Sequence, residues 1–66
     1  MERYITGTTI KTLREKSGMT QAQLGEILGV THKAVSKWET AKGFPDITLI
    51  EPLAKALGVS VPELFF

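Results

Sequence analysis

The apolar residues of this chain fall in short blocks with helical spacing, and a glycine follows most of the blocks. Gly18, Gly29, Gly43 and Gly58 each come after such a segment, where a residue in the left-handed conformation would end a helix. The segments between them are too long for ordinary strands and lack the period-two alternation of a half-buried strand. The pattern therefore predicts an all-α fold, a compact bundle of about five short helices.

Residues that cap helix N-termini set the predicted boundaries of the first three helices. The first helix is predicted from residue 6 or 8 to residue 17. The second begins after Thr20, whose hydroxyl can cap the helix while the Gln23 side chain returns the bond, as in a capping box. Thr31 is the expected cap of the third helix, residues 32–40.

The C-terminal part of the chain leaves one alternative open. Asp46 is the expected cap of the segment that follows it, but Pro52 lacks an N–H and would clash with a preceding carbonyl inside a helix. Either residues 47–50 form a separate turn and Pro52 lies in the first turn of the fourth helix, or that helix is kinked. Ser60 and Glu63 form a second capping-box pattern, which predicts a short last helix.

Length and composition restrict the class of protein. A chain of 66 residues suits a single domain, residues 1–66, and 42% apolar residues suit a folded one. It has no cysteine, so neither a disulfide nor a thiolate metal site is expected. No apolar run approaches the roughly 20 residues of a membrane span, and residues 1–7 lack the features of a secretory signal. We therefore expect a soluble, cytoplasmic domain without a cofactor, a metal or a membrane partner.

Charge is distributed unevenly, although the net charge is only +1. Residues 1–42 hold seven basic and four acidic side chains, whereas residues 43–66 hold one basic and three acidic ones. A polyanion would therefore meet the first part of the chain. Enzymatic chemistry is not expected, because His32 is the only histidine and no base or group of three metal ligands has catalytic spacing.

The third predicted helix separates into two faces at about 100° per residue. Its apolar face contains Ala34, Val35 and Trp38. Its opposite face carries no carboxylate, and its members are His32, Lys33, Ser36, Lys37 and Thr40. Such a face suits a groove with acceptor-rich edges and phosphate walls, although taken alone it could also be an ordinary solvated face.

The second and third helices, joined by a tight turn at residues 29–31, have the pattern of a helix-turn-helix over residues 20–40. With this unit, the chain resembles the Cro/repressor-type helix-turn-helix family, often called the xenobiotic-response-element family, over residues 6–64. The matching residues are Leu13, Arg14, Leu24, Pro45 and the blocks 18–21, 28–31, 35–39 and 53–60. The sequence departs from the family at Gly25, where alanine is usual, and at Ile27, where a polar residue is usual.

The resemblance implies sequence-specific binding of double-stranded DNA by a transcriptional regulator, with repression the expected effect. It assigns base reading in the major groove to His32, Lys33 and Lys37. The side chains expected at backbone phosphates are Thr20, Gln21, Thr31, Ser36, Thr40 and Lys42. Arg14 and Glu39 are expected to form a structural ion pair between the first helix and the end of the third.

Two further expectations concern partners. A single module of this size rarely binds DNA tightly, so we expect a homodimer on a palindromic operator, with the C-terminal helix, residues 61–66, as its interface. The alternative is an antitoxin or protein-interaction module that uses the same fold, in which Ile27, Phe65 and Phe66 would form a contact surface.

Overall fold

The computed structural model describes residues 7–64, and within that range the chain is helical without a strand. The α-helices are α1 (Gly7–Lys16), α2 (Gln21–Leu28), α3 (His32–Glu39), α4 (Ile50–Leu57) and α5 (Val61–Leu64), and a 3₁₀ turn (Ile47–Leu49) precedes α4. The predicted all-α class is confirmed. The alternative start at Thr6 and the residues Phe65 and Phe66 lie outside the described residues.

The core is built where α2 packs on α3 and α4, with α1 packed on α3 and α5 on α4. Its largest fully buried side chains come from all five helices, and they are Ile10, Leu24, Val35, Leu53 and Leu64. Burial of a side chain of this size contributes roughly 1.5–3 kcal/mol. Because Val35 and Trp38 are both buried, α3 is held in one rotation and its opposite face is exposed.

The predicted caps at the N-termini of α2 and α3 are present. The Thr20 hydroxyl accepts from the backbone N–H of Gln23 at 3.0 Å, and the Gln23 side chain accepts from the N–H of Thr20 at 2.8 Å. The Thr31 hydroxyl accepts from the N–H of Ala34 at 3.2 Å. At α5 the pattern differs: the Ser60 hydroxyl donates to the Glu63 carboxylate at 2.9 Å and does not accept from the Glu63 N–H.

Pro52 lies in the first turn of α4, after the separate 3₁₀ turn. The first of the two alternatives left by the sequence is therefore correct. The first four N–H groups of a helix have no partner within it, so the missing N–H of a proline costs little at this position.

Helix α3 ends within one residue of the predicted end at residue 40, but the left-handed residue that follows it is not the predicted one. Helices α1, α2 and α4 end at glycines with positive φ, but the left-handed residue after α3 is Ala41, with φ +62°, and not Gly43. The Ala41 N–H donates to the Trp38 carbonyl at 3.3 Å, and the Lys42 N–H donates to the Lys37 carbonyl at 2.9 Å. These two bonds form a Schellman motif, which closes the helix before the chain reaches Gly43.

Two glycines allow close approaches to α3 and to the turn before it. A Cβ atom on Gly25 would lie 2.7 Å from the Val30 carbonyl oxygen, and one on Gly7 would collide with the carbonyl groups of Trp38 and Glu39. A glycine inside a helix costs up to about 1 kcal/mol relative to alanine. At Gly25 that cost accompanies a close contact between α2 and the turn that leads into α3.

Candidate nucleic-acid interface

The outward side of α3 forms an open depression on the surface. His32, Lys33, Lys37 and Thr40 are exposed there, and Ser36 is half-buried. Gln21, from the start of α2, and Lys42, from the loop after α3, complete the lining. We call these seven residues the α3 face.

The α3 face has three ammonium groups and no carboxylate in its lining. The structure thus brings together seven of the nine residues predicted to contact DNA. The other two, Thr20 and Thr31, are exposed at the N-caps of α2 and α3 and do not line the depression. Free N–H groups and the positive end of the helix dipole make such N-termini suitable for anions.

The hydroxyl groups near this face differ in what they can still donate. Thr20 and Thr31 use their oxygens to accept from backbone N–H groups, so each retains its hydroxyl proton for an acceptor outside the chain. Thr40 instead donates its proton to the Ser36 carbonyl oxygen at 2.8 Å. While that bond is present, Thr40 cannot donate to a phosphate.

Arg14 and Glu39 meet behind the α3 face. Arg14 Nε lies 2.6 Å from Glu39 Oε2 and Arg14 Nη2 lies 3.1 Å from Glu39 Oε1, which is a two-point ion pair. The side chains are only 10% and 2% exposed, respectively. Arg14 Nη1 also donates to the Met19 carbonyl oxygen at 2.7 Å, so the guanidinium joins α1, the turn before α2 and the end of α3.

Gln21 is attached to the same ion pair. Its amide Nε2 donates to Glu39 Oε1 at 3.0 Å. The two oxygens of Glu39 therefore accept from Arg14 and from Gln21, and the first residue of α2 is held against the last residue of α3. Sequence reasoning missed this bond and the one to the Met19 carbonyl, because neither partner pair has a spacing that marks it in the sequence.

Hydrogen bonds and burial have opposite effects on the pKa of Glu39, and the effect of the hydrogen bonds is the larger. Burial by itself raises the pKa of this carboxyl, but the hydrogen bonds from Arg14 and Gln21 bring its pKa below the ordinary value. The hydrogen bond to Glu39 likewise raises the pKa of Arg14, despite the opposing effect of desolvation. Both groups are therefore charged at neutral pH, and each neutralises the other.

Two kinds of site are not found in the described part of the chain. Among residues 7–64 there is no cluster of three or more His, Cys, Asp or Glu side chains that could hold a metal ion. Over the same residues, no helix is long and apolar enough to cross a membrane.

Comparison with known proteins identifies the family. The family described as Helix-turn-helix matches residues 10–64. The chain belongs to the Cro/C1-type helix-turn-helix family. The transcriptional regulator YgzD of Bacillus subtilis is 32% identical over 57 residues, which are 86% of this chain and 86% of YgzD.

Other relatives of this helix-turn-helix chain are much longer proteins. The transcriptional activator BcrR of Enterococcus faecalis is 38% identical over 55 residues, which are 83% of this chain but 27% of BcrR. Repressor protein C2 of Salmonella phage P22 is 35% identical over 60 residues, 91% of this chain and 28% of C2. The chain thus spans about a third or less of their length. These relatives are named as regulators and not as enzymes, in agreement with the expectation of a non-enzymatic domain.

Solved structures share the fold. The crystal structure of the P22 c2 repressor in complex with a synthetic operator has a TM-score of 0.85 and 34% identity, and the match covers 92% of each chain. Hydroxypropylphosphonic acid epoxidase from S. wedmorenis matches with a TM-score of 0.79 and 32% identity, over 88% of this chain and 31% of the epoxidase. The same fold thus also forms part of an enzyme chain.

Proposed function

We propose that this chain is the DNA-binding domain of a transcriptional regulator, and that α3 reads a specific sequence in the major groove of double-stranded DNA. The observation that carries the proposal is the α3 face, with three lysines and no carboxylate in its lining, held outward by buried Val35 and Trp38. The operator complex of the similar P22 c2 repressor supports it.

The position of each side chain suggests its role. His32, Lys33 and Lys37 read base edges, because they are exposed on the outward side of α3, which is the helix that enters the groove. Gln21 and Lys42 line the depression from outside α3, and they bind backbone phosphates beside the groove.

The hydroxyl groups add to the phosphate contacts. Thr20 and Thr31 donate from helix N-termini, where each retains its hydroxyl proton. Ser36 and Thr40 also contact the DNA backbone, and Thr40 donates to a phosphate after its hydroxyl has released the Ser36 carbonyl.

A salt titration of DNA binding tests the proposal. The duplex is first selected from a random pool, and affinity is then measured by fluorescence anisotropy at increasing salt. For a dimer that makes at least six phosphate contacts, affinity falls on the order of 10³-fold or more between 50 and 200 mM salt. Gln21→Ala weakens binding to selected and unrelated duplexes by the same factor. Failure to select any sequence would contradict the proposal.

We further propose that the domain binds a palindromic operator as a homodimer, because one module buries only about 600–1,000 Å² on DNA. Half-sites are then spaced by roughly one helical turn, about 34 Å. Leu64 is buried in the chain's own core, so Val61, Pro62 and Glu63 are the residues of α5 that are left to contact a second copy. Sedimentation of the complex on a palindromic duplex gives a two-to-one stoichiometry, and a single bound copy would contradict dimerisation.

Repression is the effect we expect when the operator overlaps a promoter, since the bound dimer occupies the groove there. The relatives are named both as activator and as repressor, so the direction of regulation needs its own test. A reporter with the selected operator across the promoter start is expected to lose expression when the regulator is present. Increased expression would contradict repression and leave DNA binding intact.

A protein-interaction role is the second candidate, and one observation favours it. Ile27, Phe44 and Ile47 are 60%, 67% and 84% exposed. Apolar side chains of this size at the surface are typical of contact sites when they form a patch. Binding to DNA that is weak, insensitive to salt and indifferent to sequence would leave this candidate, an antitoxin-like module, as the function.

A further inference from the structure

Two of the three side chains expected to read base edges are lysines, which can donate hydrogen bonds but cannot accept them. Lys33 and Lys37 lie one turn apart on the same side of α3 and are both exposed. A lysine ammonium has three donors and no acceptor. The lining contains no Asp, Glu or Asn side chain, and its one amide is that of Gln21.

The Gln21 amide is already engaged. Its Nε2 donates to Glu39 Oε1 at 3.0 Å, and Glu39 is in turn held by Arg14 at 2.6 Å. The usual contact of glutamine with adenine is bidentate and uses both the amide nitrogen and the amide oxygen. The bond to Glu39 keeps this amide at the end of α3 and favours a single contact with phosphate over adenine reading.

The four bases offer different hydrogen-bond partners to a lysine ammonium, which donates but does not accept. In the major groove guanine presents two adjacent acceptors, O6 and N7, whereas adenine presents one acceptor beside a donor, thymine one acceptor and cytosine a donor. From the lysines of the α3 face we infer that each operator half-site contains two guanines, one read by Lys33 and the other by Lys37. This inference rests on the proposed entry of α3 into the major groove.

The helix also sets the separation of the two guanines. Four residues of α-helix rise about 6 Å, at 1.5 Å per residue. Base pairs follow one another every 3.4 Å along the duplex, so a rise of this size spans at most about two base pairs, and the two guanines lie within that separation. Either strand can carry each guanine, because O6 and N7 face the major groove in both orientations.

Replacement of single atoms in the DNA tests the inference. After selection of a duplex from a random pool, each guanine of the half-site is replaced in turn by 7-deazaguanine, which lacks the N7 acceptor. At the two guanines read by lysine the affinity falls on the order of 10-fold. Inosine, which lacks only the minor-groove amino group, is the matched control and leaves affinity within about twofold.

Variants of Lys33 connect the protein to one guanine. Lys33→Ala loses affinity for the selected duplex, and 7-deazaguanine at its guanine then has no further effect. Lys33→Arg keeps the preference for guanine, because arginine is also bidentate to O6 and N7, whereas Lys33→Gln changes the preference at that pair to adenine. Lys55→Ala, an exposed lysine of α4, is the control that changes no base preference. Circular dichroism verifies that each variant is folded.

The possible outcomes separate this inference from the proposed function. Tight, salt-dependent and sequence-specific binding that tolerates 7-deazaguanine throughout the half-site would overturn the guanine assignment alone. Selection of A·T pairs at these positions would overturn it too. A protein that selects no duplex would contradict the proposed function itself.

Discussion

Removal of one member of the Arg14–Glu39 ion pair should destabilise the fold severely. In Glu39→Leu the guanidinium of Arg14 keeps its bond to the Met19 carbonyl and a weaker ion pair at 4.0 Å with exposed Glu15, but it loses its two-point carboxylate partner. Because the two side chains are 10% and 2% exposed, water can replace the lost partner only in part. Breaking a buried pair in this way costs about 3–5 kcal/mol.

The loss is large for a chain of this size. At about 0.05–0.15 kcal/mol per residue, the 66 residues provide a total stability of roughly 3–10 kcal/mol. We therefore expect Glu39→Leu to be partly unfolded at room temperature or to unfold at low urea. Trp38 is the chain's one tryptophan and is buried beside Glu39, so its fluorescence follows the transition, and circular dichroism of the helices provides a second probe.

Two comparisons make the experiment decisive. Glu26→Leu removes an exposed carboxylate from α2 and should change the free energy of unfolding by no more than about 0.5 kcal/mol. The double variant Arg14→Leu/Glu39→Leu leaves no unpaired charge and should recover much of the loss. If Glu39→Leu costs less than about 1 kcal/mol, the pair behaves as a surface ion pair and the argument from burial is wrong.

Three other changes have expected outcomes. Lys42→Ala should weaken binding to all duplexes about equally and reduce the slope of log affinity against log salt by about 1 for each bound copy, or about 2 for the homodimer. Ala41→Gly should raise the urea midpoint and increase the free energy of unfolding by up to about 1 kcal/mol. The left-handed conformation costs alanine about 1–2 kcal/mol, but glycine loses more conformational entropy on folding, which offsets part of the gain. The stability contributed by the lowered pKa of Glu39 is complete above about pH 5 and is lost as the pH falls further. The free energy of unfolding should therefore fall less steeply with decreasing pH in Glu39→Leu than in the unmodified chain. Part of the pH dependence that remains in the variant comes from Asp46 and Glu63, whose pKa values are also lowered.

Much of the fold could be predicted because its signals are local. Thr20 and Thr31 cap the helices that the pattern assigns to them, since a hydroxyl and an N–H three residues later meet in any helix start. The faces of α3 follow from its period, because Val35 and Trp38 can be buried together only if the lysines point away. This is why most of the α3 face could be listed before the structure was known.

The parts that could not be predicted depend on how helices cross. The bond between Gln21 and Glu39 joins residues 18 positions apart, and it exists because the start of α2 meets the end of α3. Gly43 was expected to be the left-handed residue after α3, but the Schellman bonds close at Ala41 and Lys42, where no glycine marks the position. The sequence shows which residue types can adopt a left-handed conformation, whereas the geometry of the helix end decides which one does.

The ion pair behind the α3 face also affects the charge that DNA meets, and this leads to a last prediction. Arg14 neutralises Glu39, which would otherwise place an unpaired carboxylate beside the amide of Gln21, the residue proposed to bind a phosphate. The two single variants should therefore differ in DNA binding even when both are fully folded. Arg14→Leu leaves a negative charge behind the α3 face and should weaken binding more than Glu39→Leu, which leaves a positive charge there. Anisotropy measured at low temperature, where circular dichroism verifies that both variants are folded, and at low salt, where the charge effect is least screened, tests the difference. Equal affinities for the two variants would show that the pair acts on stability alone.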